Sequence, residues 1–130
     1  MAVAGALTLT PSAAQAAHQC QQGYVCIYQH WNLTGSVAVL PELSPASGHF
    51  TGQAADFRNY HYFNGTNLND SASSVINLTG QVVWFYEHGN YNKYKSGRTH
   101  GVSPGSWSNF GEYEGLLQND RASSANFTRP

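Results

Sequence analysis

The chain is poor in charged residues. Only 10% of its 130 residues are Asp, Glu, Lys or Arg, and the formal net charge is −1. Nucleic-acid-binding domains usually carry a basic stripe, so this composition speaks against that class of protein. The few Lys and Arg residues are dispersed, apart from Lys93, Lys95 and Arg98. We interpret that small group as part of a solvated hairpin, with a binding patch as the alternative.

Long apolar runs are also missing, so the sequence predicts no membrane-spanning helix. Residues 2–9 are small and apolar, and Ala14-Gln15-Ala16 follows them. This pattern is typical of the end of a secretory signal peptide and predicts a mature start near Ala17. We therefore expect residues 1–16 to be the remnant of a leader and the protein to be secreted to the extracellular space. An Ala-rich tail is the alternative.

Cysteine is scarce, because the chain has only Cys20 and Cys26. In an exported protein two such residues are expected to form a disulfide, which here would close a small loop. A metal site is the alternative, although two ligands without a matching His or Cys set make a poor zinc site. No nucleophile elbow, P-loop or HExxH motif is present. The sequence therefore predicts a protein that is not an enzyme.

Alternation of apolar and polar residues is the pattern that the chain does have. It predicts strands at residues 24–28, 36–40, 74–78 and 82–86, with Val25 and Ile27 on one face of the first strand. Turn-forming pairs such as Asn64-Gly65 and Pro104-Gly105 separate the strands. Short strands divided by regular turns favour an all-β sandwich.

A six-residue segment occurs twice. Residues 69–74 read Asn-Asp-Ser-Ala-Ser-Ser and residues 119–124 read Asn-Asp-Arg-Ala-Ser-Ser, fifty residues further on. A repeat of this period predicts two copies of one supersecondary unit. Both copies share short side chains that donate oxygen ligands. Carboxylate and hydroxyl oxygens suit a hard cation such as Ca²⁺. Turns that merely cap strands are the alternative.

The repeat extends to a hairpin that precedes each hexapeptide. Residues 28–35 align with residues 86–93: both begin with Tyr, then carry His two residues later and Asn four residues later. We expect His30 and His88 to be structural, with a shared transition-metal site as the alternative. Each unit is predicted to be a four-stranded Greek key, and two units form an eight-stranded sandwich. The first unit is the longer one, and we place its extra residues at 44–62.

These motifs resemble the βγ-crystallin superfamily. The resemblance rests on a hairpin of the form aromatic-x4-apolar-x-Gly and on [Asn/Asp]-[Asn/Asp]-x-x-[Ser/Thr]-Ser, each of which occurs twice between residues 23 and 127, the second hairpin without its final Gly. Lys93 stands where the second hairpin pattern has Gly. The opening from Cys20 to Tyr28 is similar to the secreted actinobacterial branch, which includes metalloproteinase inhibitors and killer-toxin-like proteins. The resemblance implies an all-β fold of two Greek-key motifs forming one eight-stranded sandwich, with motif one at about 20–79 and motif two at about 80–130.

The resemblance also implies two calcium sites. Serine hydroxyls, backbone carbonyls and aspartate carboxylates would supply the oxygens, and each carboxylate would reach across to the site nearer the other motif. The implied ligands are Gln29, Asp70, Ser71, Ser73, Glu87, Asp120, Arg121 and Ser123. Hydroxyls come from the fifth position of each hexapeptide, carbonyls from the third position and from the residue after each hairpin tyrosine. Waters would complete each coordination shell.

By the same resemblance, we expect a monomeric inhibitor of an extracellular metallopeptidase. Residues 44–62 are our candidate for an inhibitory loop. The first alternative is a calcium-stabilised structural, cell-surface or killer-toxin-like module without a protease target. The second is a carbohydrate-binding domain that uses aromatic side chains in its loops.

Overall fold

The structure, a computed structural model, describes residues 19–127 and consists there of two four-stranded antiparallel sheets. The eight strands in this part of the chain are β1 Val25–His30, β2 Thr34–Val39, β3 Gln53–Ala54, β4 Ser74–Asn77, β5 Val83–Tyr86, β6 Thr99–Val102, β7 Ser106–Asn109 and β8 Ser124–Asn126. Short 3-10 turns are the other regular elements. The predicted all-β sandwich is confirmed, while the predicted leader at residues 1–16 lies outside the described residues.

The two Greek keys exchange a strand. One sheet has the order β2-β1-β4-β7 and the other has the order β3-β8-β5-β6. The third strand of each motif, β3 or β7, therefore pairs with the fourth strand of the other motif. Because of this exchange, each sheet contains three strands from one motif and one from its partner motif. The segments before β4 and β8, which are the two hexapeptides, come to lie near each other.

The core lies between the sheets and follows the predicted alternation. Val25 and Ile27 of β1 are fully buried in it. On β2 the core side chain opposite Ile27 is Ala38, because Ile27 pairs with Ala38 in the register. Val37 and Val39 share the other face of that strand, as the alternation predicts. Burial of a large apolar side chain contributes about 1.5–3 kcal/mol, so these alternating positions drive the pairing of the sheets.

Aromatic rings fill the centre of the sandwich. Phe85 of β5 makes edge contacts with Phe110 and Phe57, at centroid distances of 5.3 and 6.3 Å. All three rings are fully buried. Edge-to-face packing of this kind adds to the hydrophobic contribution of each ring. Since Phe57 and Phe110 come from the long connections of different motifs, they join the two halves into one core.

The two motifs differ in where their extra residues lie. The β2–β3 connection of motif one runs from 40 to 52, whereas the equivalent β6–β7 connection is residues 103–105. The hairpin of motif two spans residues 87–98, whereas that of motif one spans residues 31–33. The sequence-based placement of an insertion at 44–62 is therefore only part of the difference, because motif two carries its own insertion in the hairpin.

The disulfide between Cys20 and Cys26 is present, with a Cα–Cα distance of 6.0 Å, and confirms that prediction. It ties the segment before β1 to the strand itself. A loop this short contributes about 2 kcal/mol in the chain-entropy treatment. Within residues 19–127, none of the helical segments has the length and apolar character needed to span a membrane.

Candidate functional site

The two hexapeptides face each other through a pair of backbone hydrogen bonds. Asp70 and Asp120 both have left-handed backbone conformations, with φ of 54° and 60°. Aspartate tolerates this region better than most residues. The Asp70 N–H donates to the Ala122 carbonyl over 3.1 Å, and the Asp120 N–H donates to the Ala72 carbonyl over 3.0 Å. These reciprocal bonds fix each aspartate beside the opposite hexapeptide.

The aspartate side chains complete two crossed pairs. The Ser123 hydroxyl donates to Oδ1 of Asp70 over 3.0 Å, and the Ser73 hydroxyl lies 3.4 Å from Oδ1 of Asp120. We call the Ser73–Asp120 pair clamp 1 and the Ser123–Asp70 pair clamp 2. Both serines are buried, whereas both aspartates are exposed. The structure therefore brings four of the eight implied ligands together in two mixed pairs, each drawing on both motifs.

The hairpin strands lie directly against the clamps. The Ser73 N–H donates to the Tyr28 carbonyl, and the Ser123 N–H donates to the Tyr86 carbonyl, over 3.0 and 2.9 Å. The next residue after Tyr28 is Gln29, which lies at an irregularity in the β1–β2 register. Gln29 is therefore one residue along the chain from the Tyr28 carbonyl that contacts Ser73 of clamp 1.

The side chains of Gln29 and Glu87 are engaged away from the clamps. Oε1 of Gln29 accepts from the Asn64 side chain over 3.0 Å. Oε1 of Glu87 accepts from the Arg98 N–H over 2.9 Å. The resemblance assigns these two positions a role through their backbone carbonyls, and that role is compatible with the side-chain partners.

The last serine of each hexapeptide has a different function that the sequence analysis missed. The Ser74 hydroxyl donates to the His30 carbonyl over 2.6 Å and accepts from the Leu33 N–H over 2.9 Å. Ser124 repeats the pattern with the His88 carbonyl and the Tyr91 N–H, over 2.7 and 3.0 Å. Each serine thus holds a hairpin loop that contains left-handed residues. The signal was in the sequence, because the sixth position is identical in both copies.

The two hairpin histidines pack on glycines. A Cβ added at Gly35 would lie 2.5 Å from Cδ2 of His30, and one added at Gly97 would lie 2.7 Å from Cδ2 of His88. Gly97 therefore takes the place of Gly35 in the second hairpin, four residues beyond Lys93. The departure at Lys93 is explained, because the longer loop postpones the required glycine. This packing agrees with the structural role expected for both histidines.

The first hexapeptide is held by a tyrosine that the sequence did not single out as a site residue. Tyr62 is buried, and its hydroxyl lies 3.0 Å from the hydroxyl of Ser71. The Ser71 hydroxyl also donates to the Leu68 carbonyl over 2.8 Å. Burial, with a further contribution from the Asp120 charge and an opposing one from Ser71, raises the pKa of Tyr62 to about 12. Tyr62 stays neutral at physiological pH and positions the third residue of the first hexapeptide.

The second hexapeptide borders a charged surface through Arg121. A pocket of about 250 Å³ there is lined by Glu87, Arg98, Gln118 and Arg121. Arg121 is exposed and occupies the position that Ser71 holds in the first copy. The two clamps are therefore alike in their aspartate–serine pairs, whereas the third residues of the hexapeptides differ: Ser71 contacts Tyr62, and Arg121 lines the charged pocket.

The donor set fits an oxygen-seeking cation. Two ligands of one calcium ion at a right angle lie about 3.3–3.7 Å apart, because Ca–O distances are about 2.3–2.6 Å. The clamp distances of 3.4 and 3.0 Å are close to that spacing. Within residues 19–127, no group of three or more His, Cys, Asp or Glu side chains converges. Each clamp thus offers one carboxylate and neutral oxygens, a set that suits calcium better than zinc.

Comparisons with known proteins agree with this architecture. One solved structure, from a study of the evolution of the eye lens beta-gamma-crystallin domain fold, matches with a TM-score of 0.59 and 22% identity, covering 87% of this chain and 92% of its own. A beta gamma crystallin from Ciona intestinalis matches with a TM-score of 0.55 and 19% identity, covering 82% of this chain and 100% of its own. No curated protein matches the sequence. The profile of peptidase inhibitor family I36 matches residues 13–102, which include all of motif one and the first hairpin of motif two. The chain therefore has the βγ-crystallin fold and belongs to peptidase inhibitor family I36.

Proposed function

We propose that this protein is a secreted inhibitor of an extracellular metallopeptidase and that two calcium ions stabilise its fold at clamps 1 and 2. Family membership supports the inhibitory role and points to a non-enzymatic protein. The Cys20–Cys26 disulfide is consistent with an oxidising, extracellular compartment. The metallopeptidase class rests on the opening motif of the chain and on the family resemblance.

The crossed clamps are the observation that carries the calcium proposal. Each pairs an exposed carboxylate with a buried hydroxyl from the other motif. Ser73 and Ser123 would supply hydroxyl oxygens, Asp120 and Asp70 the carboxylates. Ser71, Arg121, Gln29 and Glu87 would supply backbone carbonyls. A bound ion would join the two motifs directly, so calcium would act on stability rather than on any reaction.

Thermal melting tests the calcium sites. With millimolar calcium against chelator, we expect a higher midpoint for the wild-type protein, because a ligand at a hundredfold excess over Kd adds about 2.7 kcal/mol per site. The double variant Ser73→Ala/Ser123→Ala should lose the shift. Ser103→Ala, at an exposed position outside both hexapeptides, is the matched control and should keep it. An unchanged wild-type midpoint would exclude calcium binding at the clamps.

An inhibition assay tests the peptidase role. We expect micromolar protein to reduce the activity of a thermolysin-type zinc peptidase in excess calcium, and to leave a serine peptidase unaffected. Full activity of both enzymes would leave a calcium-stabilised structural module as the better description. Inhibition of the serine enzyme alone would retain the family role and reject the metallopeptidase target.

Residues 44–62, the candidate inhibitory loop, are partly buried. Ser44, Phe57 and Tyr62 are buried, and β3 lies within the segment. Phe50 is exposed but packs on Phe127 at a centroid distance of 5.4 Å. The longest run of exposed residues within the segment is 48–51. A peptidase would therefore reach this run more readily than the buried parts of the segment.

A further inference from the structure

Four exposed cations lie on the second hairpin loop and the second hexapeptide, two segments that meet where Arg98 and Arg121 line one pocket. Of the Lys and Arg side chains within residues 19–127, Arg58 pairs with Asp56 over 2.8 Å, and this is the single ion pair in that range. The other four are exposed and lie on the second hairpin loop or the second hexapeptide. We call them the basic corner: Lys93, Lys95, Arg98 and Arg121. Their concentration contrasts with a net charge of −1 for the whole chain.

The loop that carries three of them is held at its base. Glu87 and Arg98 exchange two hydrogen bonds, from the Arg98 N–H to the Glu87 carboxylate over 2.9 Å and from the Glu87 N–H to the Arg98 carbonyl over 3.0 Å. The Asn92 side chain adds bonds to the Arg98 carbonyl and the His88 N–H. The closed base pre-organises the loop, which lowers the entropy lost when a partner binds.

The tip of the loop is open to a partner. Residues 93–98 are all exposed, the longest such run in the described part of the chain. Tyr94 is 77% exposed, and the Lys93 ammonium lies 5.4 Å from the centre of its ring. An aromatic side chain among cations provides apolar contact area next to the charges.

The pocket at the base of the corner combines cationic and acceptor side chains, a mixture that favours a polypeptide over a nucleic acid backbone. Arg98 and Arg121 line it together and present guanidinium donors, which match a carboxylate in bidentate geometry. Glu87 and the Gln118 side chain line the same pocket and add acceptors. An acidic peptide offers both carboxylates and backbone N–H donors. A phosphodiester backbone is equally anionic but offers acceptors only, so it cannot place a donor on Glu87 or Gln118 as a peptide N–H can.

We propose that the basic corner is a docking surface for an acidic segment of a partner polypeptide. This role goes beyond peptidase inhibition, because it requires only the charges and donors of this corner. Opposite charge would steer such a segment to the loop, and the pocket would hold one of its carboxylates.

Fluorescence anisotropy with a labelled ten-residue glutamate peptide tests the proposal. The buffer contains EDTA, so that a divalent cation cannot bridge the peptide to the clamps. We expect binding at low salt and about a tenfold rise in Kd at physiological ionic strength, where the Debye length is about 8 Å. The variant Lys93→Gln/Lys95→Gln/Arg98→Gln/Arg121→Gln should weaken binding about tenfold or more. Arg58→Gln, which removes the paired cation, is the control and should change Kd less than twofold.

Three outcomes would overturn the proposal. The first is no binding by the wild-type protein at low salt. The second is a loss of affinity in Arg58→Gln as large as in the corner variant, which would indicate a general charge effect. The third is equal or tighter binding of a single-stranded oligonucleotide of matched charge, which would identify an unselective polyanion site. Circular dichroism of each variant verifies that the fold is retained, and a peptidase assay of the corner variant shows separately whether inhibition persists.

Discussion

At the scale of single residues, His100 is a buried polar side chain with one ring nitrogen that makes no hydrogen bond. It lies on β6, is only 5% exposed, and packs edge-on to Phe110 at a centroid distance of 5.3 Å. Nε2 is 2.9 Å from the Ser108 hydroxyl, whereas Nδ1 is buried without a partner. Burial lowers the pKa of His100, and the charge of Glu112 opposes that shift in part. The folded protein therefore favours the neutral imidazole.

Stability should consequently fall in mild acid. The unfolded chain takes up the proton near the ordinary pKa of about 6.5, and the folded state does so only at lower pH. The contribution of His100 is complete above about pH 6.5 and is lost as the pH falls toward its folded pKa. Urea unfolding at pH 8 and at pH 5 measures the difference.

The variant His100→Gln isolates this effect. It should show a shallower fall in unfolding free energy between the two pH values, because other titrating groups are common to both proteins. Asp56, whose pKa is lowered chiefly by its hydrogen bond to Arg58, loses its contribution only below its usual value of about 3.8. Equal pH dependence in the two proteins would contradict the assignment.

At the scale of elements, the hairpins show how one architecture accepts two loop lengths. Motif one closes its hairpin with three residues and motif two with twelve, residues 87–98. Both still place a glycine under a histidine ring and a serine hydroxyl between two loop backbone groups. The two hairpins therefore share these contacts although their loops differ in length. The extra residues of motif two are free to form the basic corner.

Replacing Gly97 should therefore be costly in a way that a generic glycine replacement is not. In Gly97→Ala the new Cβ would lie 2.7 Å from His88 and 3.0 Å from the Asn92 side chain. We expect a loss of about 1–3 kcal/mol, as for overpacking of a filled site. Gly80→Ala is the matched control, since nothing lies within 4 Å of its Cβ and its φ is not positive. Similar unfolding free energies for the two variants would mean that the His88 contact is unimportant.

At the scale of the whole molecule, strand exchange makes the two motifs interdependent. β7 completes the sheet of motif one, and β3 completes the sheet of motif two. The aromatic cluster of Phe57, Phe85 and Phe110 draws on both halves. Each clamp likewise needs an aspartate from one motif and a serine from the other. Neither half can complete its sheet, core or clamp alone.

A fragment of residues 19–79 should accordingly fail to fold, whereas residues 19–127 should unfold in one cooperative transition. Near-ultraviolet circular dichroism and thermal melting distinguish the two cases. The fragment is expected to lack a melting transition, because it retains less apolar area to bury and exposes the edge of β4 that β7 covers. A cooperative transition in the isolated fragment would show that a single Greek key is self-sufficient.

Local patterns determined much of this protein without any structure. Alternation in 24–28 and 82–86 predicted β1 and β5 to within a few residues, since a half-buried strand requires that pattern. The duplicated hexapeptide predicted two equivalent corners, and the expected export of the chain predicted that Cys20 and Cys26 form a disulfide. The candidate site residues stand out in the sequence because short oxygen donors recur at the same positions, whereas Tyr62 occurs in only one copy and gives no repeat signal.

Only the tertiary structure decided which parts meet. Three features depend on contacts between residues far apart in sequence. β3 and β7 each join the sheet of the other motif, Asp70 lies beside Ser123, and Arg121 shares a pocket with Arg98 of the second hairpin loop. Such contacts follow from packing two amphipathic sheets around one core. No local pattern encodes that packing, because each strand alone would bury its apolar face equally well against any complementary partner.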